Sequence, residues 1–145
     1  MEAAFGGRAV EVGGVVVRPG FQTRRVGTLL VAEYVREVGA KLLTAHTRNP
    51  AILRLFAEVC GGEQNVYPLG GTPELAELAQ QIPHATTGSG VTYHIDRYDE
   101  GGLYGHGDPA DRPSGEFKSL KQRFPLLENE RTALVVIGQT EGIQR

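Results

Sequence analysis

A chain of 145 residues, 40% hydrophobic and 22% charged, has the balance of one globular domain with a core of its own. Its formal net charge of -2 excludes a strongly basic nucleic-acid footprint, no apolar run reaches the length of a membrane span, and a single cysteine, Cys60, excludes an intrachain disulfide. The N-terminus lacks the charged-then-apolar order of a signal peptide, so a cytoplasmic protein is expected.

Residues 9–17 (AVEVGGVVV) predict a strand interrupted by Gly13 and Gly14, where a bulge or a close backbone approach is expected. Residues 27–38 predict a helix with Leu30, Val31, Tyr34, Val35 and Val38 on its inner face, stopped at Gly39. Residues 41–47 predict a second strand. Asn49 followed by Pro50 predicts a capped helix with Ile52, Leu53, Leu55, Phe56 and Val59 buried, ending at Gly61 and Gly62. Strand, helix, strand, helix is the order of a crossover unit with parallel strands.

The second half is less regular. Thr72, Pro73 and Glu74 open a helix expected to run through Ile82, with Leu75, Leu78 and Ile82 inward. Residues 91–98 (VTYHIDRY) alternate like a strand, with Val91, Tyr93 and Ile95 on the inner face. Residues 99–115 form a polar, Gly- and Pro-rich loop, long enough to be functional or mobile. Ser114 is the expected cap of a short helix with Phe117, Leu120 and Phe124 inward. Residues 132–138 (TALVVIG) predict a strand buried on both faces.

Residues 1–70 hold 8 Lys and Arg against 6 Asp and Glu, a net of +2, while residues 71–145 hold 7 against 11, a net of -4. The positive excess accompanies the stretch that points to chemistry, VVVRPGFQTRRVGTLL at residues 15–30. A strand leads into a loop with Gln22, Thr23, Arg24, Arg25, Val26 and Gly27, and a helix follows at once. The first turn of a helix carries unpartnered N–H groups and the positive end of the helix dipole, so a phosphate placed there is held by several donors. Gly27 admits a close approach, and Arg24 and Arg25, with Arg18 nearby, add charge suited to phosphates. A strand-to-helix turn with solvated arginines accounts for the same residues. A nucleotide-gripping α/β protein is a third option, but neither the P-loop nor the dinucleotide signature is present.

The stretch resembles the GNAT acetyltransferase superfamily. Val17-Arg18-Pro19 is similar to the family's strand end Val-x-Pro. Gln22-Thr23-Arg24-Arg25-Val26-Gly27 is similar to its pyrophosphate loop, Arg/Gln-x-x-Gly-x-Gly/Ala, with Arg25 in place of the first glycine. A strand over Lys41–Thr47, Asn49 and a helix follow in the family's order. The resemblance implies an α/β fold with a mixed sheet, a crossover unit at its centre and helices on its faces. It would be one domain over 1–145, with an acetyl-CoA-binding core at 10–62, a divergent half at 63–145 and a truncated N-terminal part. It implies acetyl-CoA as co-substrate, held by Val15, Val16 and Val17 along the pantetheine arm. Gln22, Thr23, Arg24, Arg25, Val26, Gly27 and Thr28 would hold the diphosphate, with Asn49 beside the cofactor. It implies an amine acceptor, either a small molecule or a protein N-terminus or lysine, attacked directly, with Glu11 as a candidate base. No metal, nucleic acid or membrane partner is implied.

The chain departs from the family where a tyrosine commonly protonates the departing thiolate, because that position is Phe56. A catalytically degenerate acyl-CoA-binding or interaction domain is therefore the alternative function. His46 is expected to pack, and Cys60 to be a buried structural cysteine. His94, Asp96, His106 and Asp108 form two His-x-Asp pairs whose spacing matches no metal motif, so solvated polar residues are expected. Tyr67 and Tyr104 are substitute proton donors if the fold brings them to the thioester. The open edge left by missing N-terminal strands predicts a homodimer in which strands from both copies, the last strand reaching across, complete one sheet or two packed sheets.

Overall fold

The computed structural model describes residues 8–11, 26–103, 107–108 and 115–140. Among these described residues six strands make one mixed sheet. They are β1 (Arg8–Glu11), β2 (Ala40–Thr47), β3 (Val66–Tyr67), β4 (Ala85–Gly88), β5 (Val91–His94) and β6 (Ala133–Gln139). The described α-helices that connect them are α1 (Val26–Val38), α2 (Pro50–Val59), α3 (Pro73–Gln80) and α4 (Glu116–Arg123). The strand order is β1-β2-β6-β5-β4, and β3 pairs with the remaining stretch of β6 beside β5.

The crossover unit predicted from the first half is present. β1 and β2 are parallel, with Ala9 beside Leu42 and Glu11 beside Thr44, and α1 runs between them. The register shifts between Arg8 and Ala9. All other pairings are antiparallel. The unit does not sit at the centre, however. Among the described residues β1 ends the strand order, and β6 is the central strand. The run Ala133–Ile137 is fully buried, as its sequence predicts, but its neighbours β2, β3 and β5 belong to its own chain.

The two faces of the sheet differ. One face packs Leu43, Ala45, Leu134 and Val136 against α1, α2 and α4, with Phe56, Cys60 and Phe124 filling the layer. The other packs Leu42, Val135 and Ile137 against α3 through Leu75, Leu78 and Ala79. Strand alternation puts odd and even residues of β2 on these opposite faces.

The helix ends follow their sequence signals. Asn49 Oδ1 accepts from the Ala51 amide at 2.9 Å, and Pro50 occupies the first turn of α2. Gly39, at φ 65°, lets the chain leave α1 by a left-handed turn. Thr72 stands at the N-cap position of α3 without a side-chain capping bond, and the helix ends at Gln80 while Ile82 stays buried. Gly115 stands at the start of α4, and Ser114 lies outside the described residues.

Two expectations need correction. Leu30 and Tyr34 of α1 are 59% and 52% exposed. Of its described side chains, Val31, Ala32, Val35 and Val38 pack into the core, a narrower stripe than its apolar pattern offers. β5 stops at His94 instead of 98, because Asp96 adopts φ 59° and turns the chain, which leaves Ile95 exposed. The residues before it form a hairpin: β4 and β5 join through Ser89 and Gly90, both at positive φ, the pairing that matches strand twist.

Candidate functional site

The C-terminal ends of the parallel strands collect the polar chemistry. β1 ends at Glu11 and leads toward α1; β2 ends at Thr47 and leads directly into α2. The N-terminal turns of both helices thus follow the same end of the pair. Neither helix has an acidic residue in its first turn, so neither positive end is neutralised there. Open α/β sheets place ligands at this end of their strands.

Of the expected cofactor contacts, Val15, Val16, Val17, Gln22, Thr23, Arg24 and Arg25 lie outside the described residues. Val26 begins α1, and Gly27 and Thr28 are half-buried in its first turn. Asn49 is the cap of α2, and its side-chain oxygen is engaged by that cap. Glu11 is exposed at the end of β1, on the strand face shared with Ala9.

The sheet brings to the same face a group the sequence did not join. His46 of β2 lies opposite Val135, and His94 of β5 lies opposite Ala133, so their rings meet across β6. The two Nδ1 atoms are 2.8 Å apart, and the rings meet edge to face with centroids 5.0 Å apart. His84 stacks on His94 at 5.4 Å, held by a left-handed backbone at φ 69°. Histidine is among the few residue types enriched there. α3 covers the Leu42 and Ile137 end of this face and leaves the histidines half-buried or exposed.

Burial lowers the proton affinity of His46, and His94 beside it lowers it further, while Glu11 works in the opposite direction. His94 is lowered by burial, then by Arg97 and His84. Both rings are therefore biased toward the neutral form.

The remaining candidates are structural. Phe56 is fully buried. Cys60 is fully buried too, and burial pushes its thiol up to about 12, which removes the thiolate a nucleophile needs. The Tyr67 hydroxyl accepts from the Thr92 amide at 2.9 Å and lies 3.0 Å from Thr92 Oγ1, so it is engaged by Thr92. Tyr93 is buried in the core. Tyr104 and His106 lie outside the described residues.

Of the two His-x-Asp pairs, His94, Asp96 and Asp108 are described, and the two aspartates have separate partners. Asp96 stands 3.5 Å from Arg131. Asp108 receives a two-pronged bond from Arg48, Nε to Oδ1 at 2.8 Å and Nη2 to Oδ2 at 2.7 Å, with Lys121 at 3.0 Å. Burial acts to raise the Asp108 carboxyl, but the hydrogen bonds and charges of Arg48 and Lys121 outweigh it and hold it below its ordinary value. Among the described residues no group of three or more His, Cys, Asp or Glu is arranged to hold a metal ion.

A groove of about 420 Å³ lies elsewhere, between α2 and α4, lined by Leu53, Ala57, Leu69 and Leu120 and rimmed by Arg54 and Glu116. Among the described helices none is long and apolar enough to cross a membrane. Compared with known proteins, the chain matches no family model, no curated protein and no solved structure.

Proposed function

We propose that the chain is an N-acetyltransferase of GNAT-like fold that moves an acetyl group from acetyl-CoA to an amine by direct attack. The observation that carries this reading is the parallel β1–β2 pair with α1 as its crossover. It agrees with the crossover core that the sequence resemblance implies. It also supports a diphosphate at Gly27 and Thr28, where α1 opens without an acidic neighbour. Glu11 and the His46–His94 pair stand at the same end of the strands, on one face, where an attacking amine needs a proton acceptor. The acceptor is a small amine, a protein N-terminus or a lysine. The assembly proposed is a homodimer in a cytoplasmic setting, and sedimentation at micromolar concentration reads its mass.

The test is ligand-linked stability. Saturating acetyl-CoA, at about 100 times its Kd, stabilises the folded chain by about 2.7 kcal/mol and raises Tm by several degrees. Gly27→Glu puts a carboxylate into the anion site. A glutamate in the first turn suits the helix dipole, so the free variant keeps its stability and loses only the shift. An equal shift in both proteins would reject this placement of the cofactor.

A second reading has one observation behind it. Phe56 is sealed in the core and the Tyr67 hydroxyl is engaged by Thr92, so neither serves as the thiolate's proton donor. An acyl-CoA-binding domain without turnover needs no such donor.

A further inference from the structure

We propose that the His46–His94 pair is the proton relay of the acetyl transfer, taking a proton from the attacking amine and returning one to the thiolate of coenzyme A. The proposal rests on the acetyltransferase reading above. Its starting point is the 2.8 Å contact between the two Nδ1 atoms. At that distance one Nδ1 carries a proton and donates, and the other accepts through its lone pair.

The rest follows from imidazole chemistry. In the neutral pair, the ring that donates through Nδ1 has a bare Nε2. The ring that accepts through Nδ1 carries its proton on Nε2. The pair therefore always offers one proton acceptor and one proton donor, at opposite ends. A proton taken up at the bare Nε2 makes that ring an imidazolium. Its Nδ1 proton then passes across the contact, and the second ring releases its Nε2 proton.

The balance closes without a further reactant. In the amine an N–H bond breaks, and an N–C bond forms to the acetyl carbon. The C–S bond breaks, and the sulfur leaves with its electron pair. The proton that entered at one ring is replaced by one leaving the other, which forms the S–H bond. The relay ends with its tautomers exchanged and no net charge gained. It fills the gap left by Phe56.

The surroundings fit this role. His46 lies near the end of β2, on the face where Glu11 ends β1. The charged and titratable groups acting on the pair are Glu11 from β1, His84 from the turn before β4 and Arg97 after β5. Tyr98 donates from its hydroxyl to the His46 carbonyl oxygen at 3.4 Å and so acts on the backbone, not on the ring. Two imidazolium rings would set two Nδ1–H groups against each other at 2.8 Å, so the pair holds at most one extra proton.

The experiment uses the whole chain, acetyl-CoA and three acceptors: a primary alkylamine, an arylamine and a peptide with a free N-terminal amine. Thiol release gives kcat and kcat/KM from pH 5 to 9, and titration calorimetry gives the acetyl-CoA affinity. His46→Gln and His94→Gln each lower kcat about 100-fold or more, the usual range for a lost acid–base group. Each leaves acetyl-CoA affinity unchanged and removes the acidic limb of the kcat/KM profile. Variants with wild-type turnover and pH profile overturn the relay and leave the acetyltransferase reading standing. Variants that lose acetyl-CoA affinity together with kcat also overturn it, by showing that the pair only holds the strands. A wild type that binds acetyl-CoA but releases no thiol overturns the relay in favour of the binding domain. A wild type that binds no acetyl-CoA overturns the reading itself and the relay with it.

Discussion

At the scale of single residues, Arg48 ties Asp108, Leu127, Asn129 and Thr132 of the second half to the end of β2. It is 2% exposed and uses all five of its N–H donors. Two go to Asp108, two from Nη1 to the carbonyl oxygens of Asn129 and Thr132, and one from Nη2 to that of Leu127. A buried guanidinium costs desolvation energy that only such complete pairing offsets. The loop 99–115 reads as mobile from its glycines and prolines, yet Asp108 ties it to the end of β2. Asp108→Ala leaves the guanidinium without its counter-charge and destabilises the fold by about 3–5 kcal/mol. In many proteins replacing both partners of a buried pair by apolar groups restores stability. Here Arg48→Met with Asp108→Leu stays destabilised, because the buried carbonyls of Leu127 and Thr132 lose their donors at about 1–3 kcal/mol each. Urea denaturation measures both variants. A double variant within about 1 kcal/mol of wild type would show that the carbonyl bonds contribute little.

At the scale of elements, the legible parts are those whose signals are local. Asn49-Pro50 fixes the start of α2 because a cap and a proline act within one turn. Its buried stripe, Leu53, Leu55, Phe56 and Val59, is one helical face. Ser89-Gly90 carries a turn signal too, but Ala85–Gly88 is a strand of small and polar residues with little alternation to mark it. β3 has two residues, too few for any periodicity. The apolar pattern of α1 is wider than its buried stripe, because it counts apolar residues and not the width of the core beneath them. The candidate site divides the same way. The helix N-termini can be read from sequence, whereas His46 and His94 stand 48 residues apart and meet only because β6 inserts between β2 and β5. His84 carries no sequence signal that separates it from a solvated turn residue. Asn49 permits a test at this scale. Asn49→Asp keeps a capping oxygen and the stability of α2 but adds negative charge beside the proposed cofactor. The expected outcome is an unchanged melting temperature with weakened acetyl-CoA binding by calorimetry. Unchanged binding would reduce Asn49 to a cap.

At the scale of the whole molecule, the sheet is held from opposite ends of the chain. β1 and β2 come from the first third, and β6 from the last, so folding depends on contacts across most of the sequence. Two sets of titrating groups span those contacts. His46 and His94 join β2 to β5 across β6, and Asp108 joins the loop before α4 to Arg48 beyond β2. Their pH dependences are separable. The folded chain lowers the proton affinity of both histidines, with burial as the first cause. Above their ordinary value of 6.5 both rings are neutral whether folded or unfolded, and their contribution to stability is complete. As pH falls below 6.5 the unfolded chain takes up protons first, and stability declines until the folded-state values are passed. Asp108 also titrates lower in the folded chain, because its bonds to Arg48 and Lys121 outweigh burial. Its contribution is complete above the ordinary 3.8 and is lost as pH falls below that, through the folded value. Stability by urea denaturation should therefore fall in two stages on acidification, one starting near 6.5 and one below 3.8. His46→Gln combined with His94→Gln removes the histidines' part of the first stage and leaves the second. Asp108→Asn does the reverse. If the double glutamine variant keeps a first stage as large as that of wild type, the histidine pair is not the group that acid disrupts, and the neutral pair at the strand ends would have to be abandoned.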